Sequence, residues 1–244
     1  QGSAYIFFTS DGGATYGQVA KLTADSRHSN QVFGVSVAID GDTVVIGAYG
    51  GNDAGQYSGE VHVFLTTDGG ATYAHAAKLT ASDAAESDHF GISVAIDGGT
   101  IVIGAQLDDD GGTDSGSVYV FLTTDGGATY GQVAKLTASD AAVGDRFGVP
   151  VAIDGSTIVV GASSKDSYTG AAYVFLTTDG GATYGQVAKL TASDAAVEDR
   201  FGSSVAIYGD TIVIGAHQYY TDGSTSGLAY LFLGPSEPTP LPTD

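Results

Sequence analysis

Apolar and polar residues alternate along this chain in short runs bounded by glycine-rich turns, the pattern of half-buried β-strands. The clearest run is Gly91 to Ile96, where Ile92, Val94 and Ile96 share one face. Asp97-Gly98-Gly99 follows as a tight hairpin signal. Thr100 to Ala105 then turns continuously apolar through Ile101-Val102-Ile103, as a strand covered on both faces does. A polar stretch, Gln106 to Gly116, leads to a third run, Ser117 to Leu122, which alternates again. A second turn, Thr123 to Tyr130, precedes the more polar Gln132 to Thr137, which carries Lys135. The pattern predicts four antiparallel strands, labelled A to D in this order.

The same pattern recurs through the whole sequence. Phe-Gly stands at Phe33, Phe90, Phe147 and Phe201, in steps of 57, 57 and 54 residues. Gly-Ala follows the same rhythm at Gly47, Gly104, Gly161 and Gly215, and Asp-Gly-Gly-Ala-Thr-Tyr begins at Asp11, Asp68, Asp125 and Asp179. A period this long marks supersecondary units that bury their apolar faces only against neighbours. The strands grow more polar from A to D, which places the first near a crowded axis and the fourth in solvent. Four-stranded sheets repeated about an axis make a β-propeller, so the expected fold is all-β. Pro150 occupies a strand A position where the other units have Ser36, Ser93 and Ser204. Proline cannot donate to a ladder, so strand A is expected to be an edge strand.

Phe-Gly-x-Ser-Val-Ala-Ile followed by Ile-Val-Ile-Gly-Ala resembles the FG-GAP repeat of integrin α-like propellers, over all four units. Ala-Tyr, Ala-Gln, Ala-Ser and Ala-His stand where the name-giving motif has Ala-Pro. That resemblance implies extracellular adhesion or recognition. Thr66-x-Asp68-x-Gly70-x-Thr72-Tyr73 in the C–D turn is similar to the Asp-box of sialidase-type propellers, with copies starting at Thr9, Thr123 and Thr177. Asp11, Asp68, Asp125 and Asp179 are expected to be structural there, accepting backbone N–H bonds inside the turn.

The repeats run out of phase with the chain. Residues 1–24 supply only a strand C and a strand D, and the last unit ends at strand C, Leu228 to Leu233. The favoured arrangement lets the N-terminal strand D complete the last blade, closing a four-bladed ring. The alternatives are membership of a larger ring and strand exchange with another chain, since a bare edge is an assembly template. The propeller is assigned to residues 1–233. Residues 234–244 hold four of the five prolines and are expected to form an extended linker or stalk.

Composition narrows the function classes. The chain has 28 acidic against 8 basic residues, a formal net charge of -20, so nucleic acid is not expected as a partner. No run approaches the ~20 apolar residues of a membrane helix, and no membrane insertion is expected. Cysteine is absent, which removes disulfides and thiolate chemistry. Methionine is absent too, so the chain is expected to be a processed or excerpted piece, with any targeting signal lying outside it.

Candidate chemistry lies in the B–C and D–A loops, which share one face of the disc. Asp108, Asp109, Asp110 and Asp114 are oxygen-rich enough to suggest calcium. The calcium loop of integrin-type propellers lies between strands A and B, where this chain has only a short turn, so that site is not carried over. Asp140 with Asp145, and Asp194 with Asp199, recur in several units and read as turn caps rather than catalytic pairs. Arg27, Arg146 and Arg200 lack the accompanying residues of a sialidase. The histidines show no metal-ligand spacing. Tyr49, Tyr57, Tyr168, His217, Tyr219 and Tyr220 lie in the most variable loops and are the candidate ligand-facing residues.

The expected function is non-catalytic: an extracellular or cell-surface module binding a protein or glycan through the B–C and D–A loop face. One alternative is a structural subunit that joins copies of itself by strand complementation. A second is a sialidase-like glycan-binding or hydrolytic module.

Overall fold

The computed structural model describes residues 2–24, 31–217 and 227–233. It contains β1 (Ala4–Phe8), β2 (Gly17–Leu22), β3 (Ser36–Asp40), β4 (Thr43–Ala48), β5 (Glu60–Leu65), β6 (Ala74–Leu79), β7 (Phe90–Asp97), β8 (Thr100–Ala105) and β9 (Ser117–Leu122). These are followed by β10 (Gly131–Leu136), β11 (Val151–Asp154), β12 (Thr157–Ala162), β13 (Ala171–Leu176), β14 (Gly185–Leu190), β15 (Phe201–Tyr208), β16 (Thr211–Ala216) and β17 (Leu228–Leu233). Lys165–Tyr168 make one short turn, left-handed at Asp166 and Ser167, in the third B–C loop.

The strands form three complete four-stranded antiparallel blades, β3–β6, β7–β10 and β11–β14. A two-stranded sheet, β1–β2, precedes them, and a three-stranded sheet, β15–β17, follows. Strand A is the edge of each complete blade, so Pro150 precedes β11 on the one side of the sheet where no ladder donor is needed. Each C–D hairpin carries a bulge, as between Val63 and Phe64.

The apolar surface is buried between sheets rather than within them. One core joins Val45, Val61 and Val63 of the first complete blade to Phe90, Val94, Ile103 and Phe121 of the second. The next joins Val102, Val118 and Val120 to Phe147, Ile158 and Phe175. The Phe of each Phe-Gly packs edge-on against two rings of its own strand C, as Phe147 does on Tyr173 and Phe175 at 5.5 and 5.9 Å. Burial peaks on strands B and C; β3 and β11 are largely half-buried or exposed. The innermost strand is therefore not the most enclosed one, because B and C alone have sheet neighbours on both sides.

Phe-Gly and Gly-Ala are two halves of one inter-blade contact. A Cβ on Gly47, Gly104 or Gly161 would lie 1.9, 1.9 or 2.2 Å from the carbonyl oxygen of Gly91, Gly148 or Gly202 in the next blade. A parallel bridge pairs Gly59 with Phe90, and another Gly170 with Phe201. At the opposite end, the A–B turn of each complete blade hands a carboxylate forward. Asp40 accepts from Gly98 N at 2.7 Å, Asp97 from Gly155 N at 2.6 Å, and Asp154 from Gly209 N. Tyr208 occupies the fourth position of that series and is 86% exposed.

The expected ring closure is not present among the described residues. β2 pairs with β1, and β17 pairs with β16 alone, so strand D of the N-terminus stays in its own sheet. Both ends of the arc display apolar side chains: Tyr5, Phe7, Val37 and Ile39 at one, Leu231 and Leu233 at the other. Residues 234–244, the expected stalk, lie outside the described residues.

Candidate functional site

The B–C loop of each complete blade is bonded by its backbone to the D–A loop that follows that blade. His89 N donates to Tyr57 O at 3.1 Å, Arg146 N to Asp114 O at 3.1 Å, and Arg200 N to Tyr168 O at 2.8 Å. All six residues sit at positive φ between 55° and 65°, a conformation that costs a side-chain-bearing residue free energy and is held here by the paired loops. The result is a rim whose backbone repeats while its side chains differ.

Tyr49, Tyr57 and His89 form an aromatic group, with ring centroids 4.7 Å apart for Tyr49–His89 and 5.9 Å for Tyr57–His89. Burial, with Arg146 adding to it, holds the His89 imidazole below its usual pKa. At the third loop, the Arg200 guanidinium stacks 4.8 Å from the Tyr168 ring centroid. Of the expected ligand-facing residues, Tyr49, Tyr57 and Tyr168 thus lie on the rim, and His217 is exposed at its end. Tyr219 and Tyr220 lie outside the described residues.

Beneath the rim, each complete blade buries a different ionic cluster, built from Asp108 and Lys165 at one repeat position in two blades and from Glu60 at another in the first. In the second, Asp108 is 4% exposed and accepts from Ser117 Oγ at 2.8 Å and Tyr119 OH at 2.7 Å. Lys135 Nζ lies 2.7, 3.1 and 2.6 Å from Asp83, Asp108 and Asp110. Burial alone would lower the Lys135 pKa, but these carboxylates outweigh it and raise it. In the third, Lys165 stands in place of Asp108; it is 4% exposed and lies 2.7 Å from Asp145. Asp140 accepts from Tyr173 OH and Lys189 Nζ, both at 2.7 Å, which holds its pKa at about 2 against the effect of burial. In the first, Glu60 does this work, bonded to Gln31 Nε2 at 2.9 Å and facing His62 Nε2 at 3.1 Å.

The expected calcium residues separate. The carboxylates that converge are those of Asp83, Asp108 and Asp110, with ligand atoms within 4.8 Å of one another. Asp109 turns away to accept from Asp114 N at 2.8 Å, and Asp114 sits on the rim. Oxygen donors suit a hard cation, yet the Lys135 ammonium already lies against all three. Asp83 joins this group from the preceding D–A loop, 25 residues upstream of Asp108, a separation that carries no signal in the sequence. The recurring aspartates are also engaged: Asp145 accepts from Ala142 N at 2.8 Å, and Asp199 from Ala196 N at 2.7 Å.

The C–D turns repeat nearly atom for atom. Asp125 accepts from Thr129 N at 2.9 Å, Thr129 Oγ1 at 2.6 Å and Thr123 Oγ1 at 2.8 Å. Those bonds hold the Asp68, Asp125 and Asp179 carboxyls at about 2.

FG-GAP repeats match residues 16–64, 73–121, 130–175 and 184–232. That is well over half the sequence, and the chain belongs to the FG-GAP repeat family. Its architecture is similar to an α-L-arabinanase of Penicillium chrysogenum complexed with arabinobiose, at 11% identity and a TM-score of 0.54, covering 82% of this chain and 62% of that one. It is also similar to a GH93 α-L-arabinofuranosidase of Fusarium graminearum, at 14% identity and 0.51, covering 84% and 62%. The Arb93A α-L-arabinofuranosidase of Fusarium graminearum gives 13% and 0.52, covering 85% and 63%. The chain therefore spans about three-fifths of the length of these solved structures, and the likeness is one of propeller fold. No curated protein matches the sequence. Among the described residues, no helix is long and apolar enough to cross a membrane.

Proposed function

We propose that the protein is a non-catalytic recognition module of the cell surface or extracellular space, binding a protein or glycan through the rim of B–C and D–A loops. The observation that carries this reading is the pairing of those loops. Backbone bonds between neighbouring blades fix their shape, while Tyr49, Tyr57, His89, Tyr168 and Arg200 vary the surface they present. A pre-ordered rim loses little entropy on binding, and half-exposed tyrosines suit stacking on sugars or anchoring a protein partner. The C–D turns act as Asp-boxes in the structural sense, fastening hairpins on the opposite face. The test is a glycan array and a surface-protein binding screen with the parent chain and with Tyr49, Tyr57 and Tyr168 replaced by alanine. Loss of a bound ligand with unchanged folding supports the reading; binding unaffected by all three replacements sinks it.

A structural role is favoured by a separate observation, the apolar ends of the arc. Among the described residues, the outer edge of β17 pairs with no strand, and with the exposed Leu231 and Leu233 it offers a surface of the kind other blades cover. Light scattering over a hundredfold concentration range tests it: growth of assemblies that an N-terminal truncation through Leu22 abolishes supports strand complementation, and a constant monomer mass rejects it. A hydrolytic role draws only on the propeller likeness to arabinan-active enzymes; turnover of an arabinan, lost with one Asp replacement on the rim, would establish it.

A further inference from the structure

Two histidines of the first complete blade face each other across the β5–β6 hairpin. His62 Nδ1 lies 3.0 Å from His75 Nε2, with the rings 5.2 Å apart and inclined by 59°. The other nitrogen of His62, Nε2, lies 3.1 Å from Glu60 Oε1. Glu60 and His62 are buried, at 1% and 2% exposure, whereas His75 is exposed to solvent. Gln31 holds Glu60 Oε1 from a second side, and Lys78 lies 3.4 Å from Oε2.

We propose that His62 Nδ1 and His75 Nε2 are the protein ligands of a binding site for a divalent transition metal of the zinc or copper kind. The buried carboxylate favours a proton on His62 Nε2, which leaves the Nδ1 lone pair pointing at His75. A carboxylate behind a ligating imidazole is the arrangement that orients metal-bound histidines and raises their basicity. Tetrahedral zinc, at 2.0–2.1 Å from each imidazole nitrogen, sets two such nitrogens roughly 3.3 Å apart. The observed 3.0 Å separation is slightly shorter, so the exposed His75 ring turns outward on Phe64 until both lone pairs converge on the metal. Its proton then resides on Nδ1, and water fills the remaining coordination positions. Imidazole nitrogens select zinc and copper over calcium or magnesium.

The other complete blades lack this pair of histidines. The positions of His62 and His75 hold Tyr119 and Gln132 in the second complete blade, and Tyr173 and Gln186 in the third. Neither pair offers two nitrogen lone pairs. The change extends inward, because Glu60 replaces Ser117 and Gly51 replaces Asp108. A Cβ on Gly51 would lie 2.8 Å from Glu60 Cγ, so the glycine makes room for the carboxylate. Four departures from the repeat thus meet at one place. The histidines lack any ligand-like spacing in sequence, yet the 13-residue gap closes across the bulged hairpin, where His75 lies opposite Phe64.

Calorimetric titration of the full chain with Zn2+ and with Cu2+ tests the assignment. One equivalent of uptake is expected, tighter for copper than for zinc. His75→Gln restores the repeat residue and should abolish uptake while leaving circular dichroism and Tm unchanged. Glu60→Gln should retain the site but weaken it about 10- to 100-fold. Should Glu60→Gln fail to fold, ring nitrogen NMR of the parent chain decides, since Zn2+ should shift the ring nitrogens of His62 and His75 and leave those of the other histidines in place. Uptake surviving in His75→Gln, lost instead in Asp110→Asn, or absent at millimolar metal overturns the proposal.

Discussion

Gly104 lies against the carbonyl of Gly148 so closely that a Cβ at 104 would stand 1.9 Å from that oxygen. The Gly-Ala of one blade and the Phe-Gly of the next are therefore one contact seen from two sides. Gly104→Ala forces backbone away from backbone across a blade boundary and should destabilise the protein by about 3 kcal/mol. Gly215 is its repeat equivalent, but a Cβ there meets the Ser204 hydroxyl, which can rotate away. Urea denaturation should show Gly215→Ala to be much the milder change; equal costs would mean the inter-blade contact is not what requires glycine.

Lys135 bridges three carboxylates, of which Asp108 is buried. Lys135→Ala leaves that carboxylate without its cation and should cost about 3 kcal/mol, the usual penalty for breaking a buried pair. The same variant frees three converging oxygen sites. Calcium should raise the Tm of Lys135→Ala, whereas chelator should leave the parent protein unchanged. A parent Tm that falls with chelator would show that calcium competes successfully with the ammonium.

Asp88 is raised to about 6 by burial, and the nearby Asp108 and Asp83 add to the effect. Its folded-state pKa exceeds its unfolded one, so stability is lost as pH rises from about 4 through 6. Asp88→Asn keeps an oxygen to accept from Ala85 N, now 2.6 Å from the carboxylate. The variant should gain on the order of 2 kcal/mol at pH 7 and lose this pH dependence. Denaturation curves at pH 4 and pH 7 measure both.

The turn aspartates behave in the opposite sense. Asp68, Asp125 and Asp179 have carboxyls held at about 2 by bonds from threonine side chains and backbone. Their contribution is present above the unfolded value and disappears as pH falls from about 4 through 2. Carbon-detected NMR titration should find all three still ionised at pH 3, and Thr129→Val should return Asp125 towards the ordinary range.

Strand order and the blade boundaries were legible in the sequence because Phe33, Phe90, Phe147 and Phe201 do the same job four times. The rim was legible as a region, since Tyr57 and Tyr168 fall where the units disagree. The ionic clusters were not, because Asp83 and Lys135 meet only once the propeller brings separate loops and strands together. His62 and His75 escaped for a local reason, the bulge at Val63 and Phe64, which shifts the register of the hairpin. The fate of the two ends was not legible either: β1 and β2 could pair forward or backward with equal patterning, and here they stay with each other.

Each family unit begins at an outer strand and ends at a strand C, as 73–121 runs from β6 to β9. Its first strand therefore belongs to one sheet and its other three to the following sheet. No unit can complete a blade by itself, and every cut between units falls inside a hairpin. Tandem duplication of such a segment lengthens the arc by one whole blade while both terminal edges remain as they were. Phe121 to Val143 and Phe175 to Val197, identical over 23 residues, are the trace such an event leaves. A gene built this way can change its blade number by recombination without inventing a new junction.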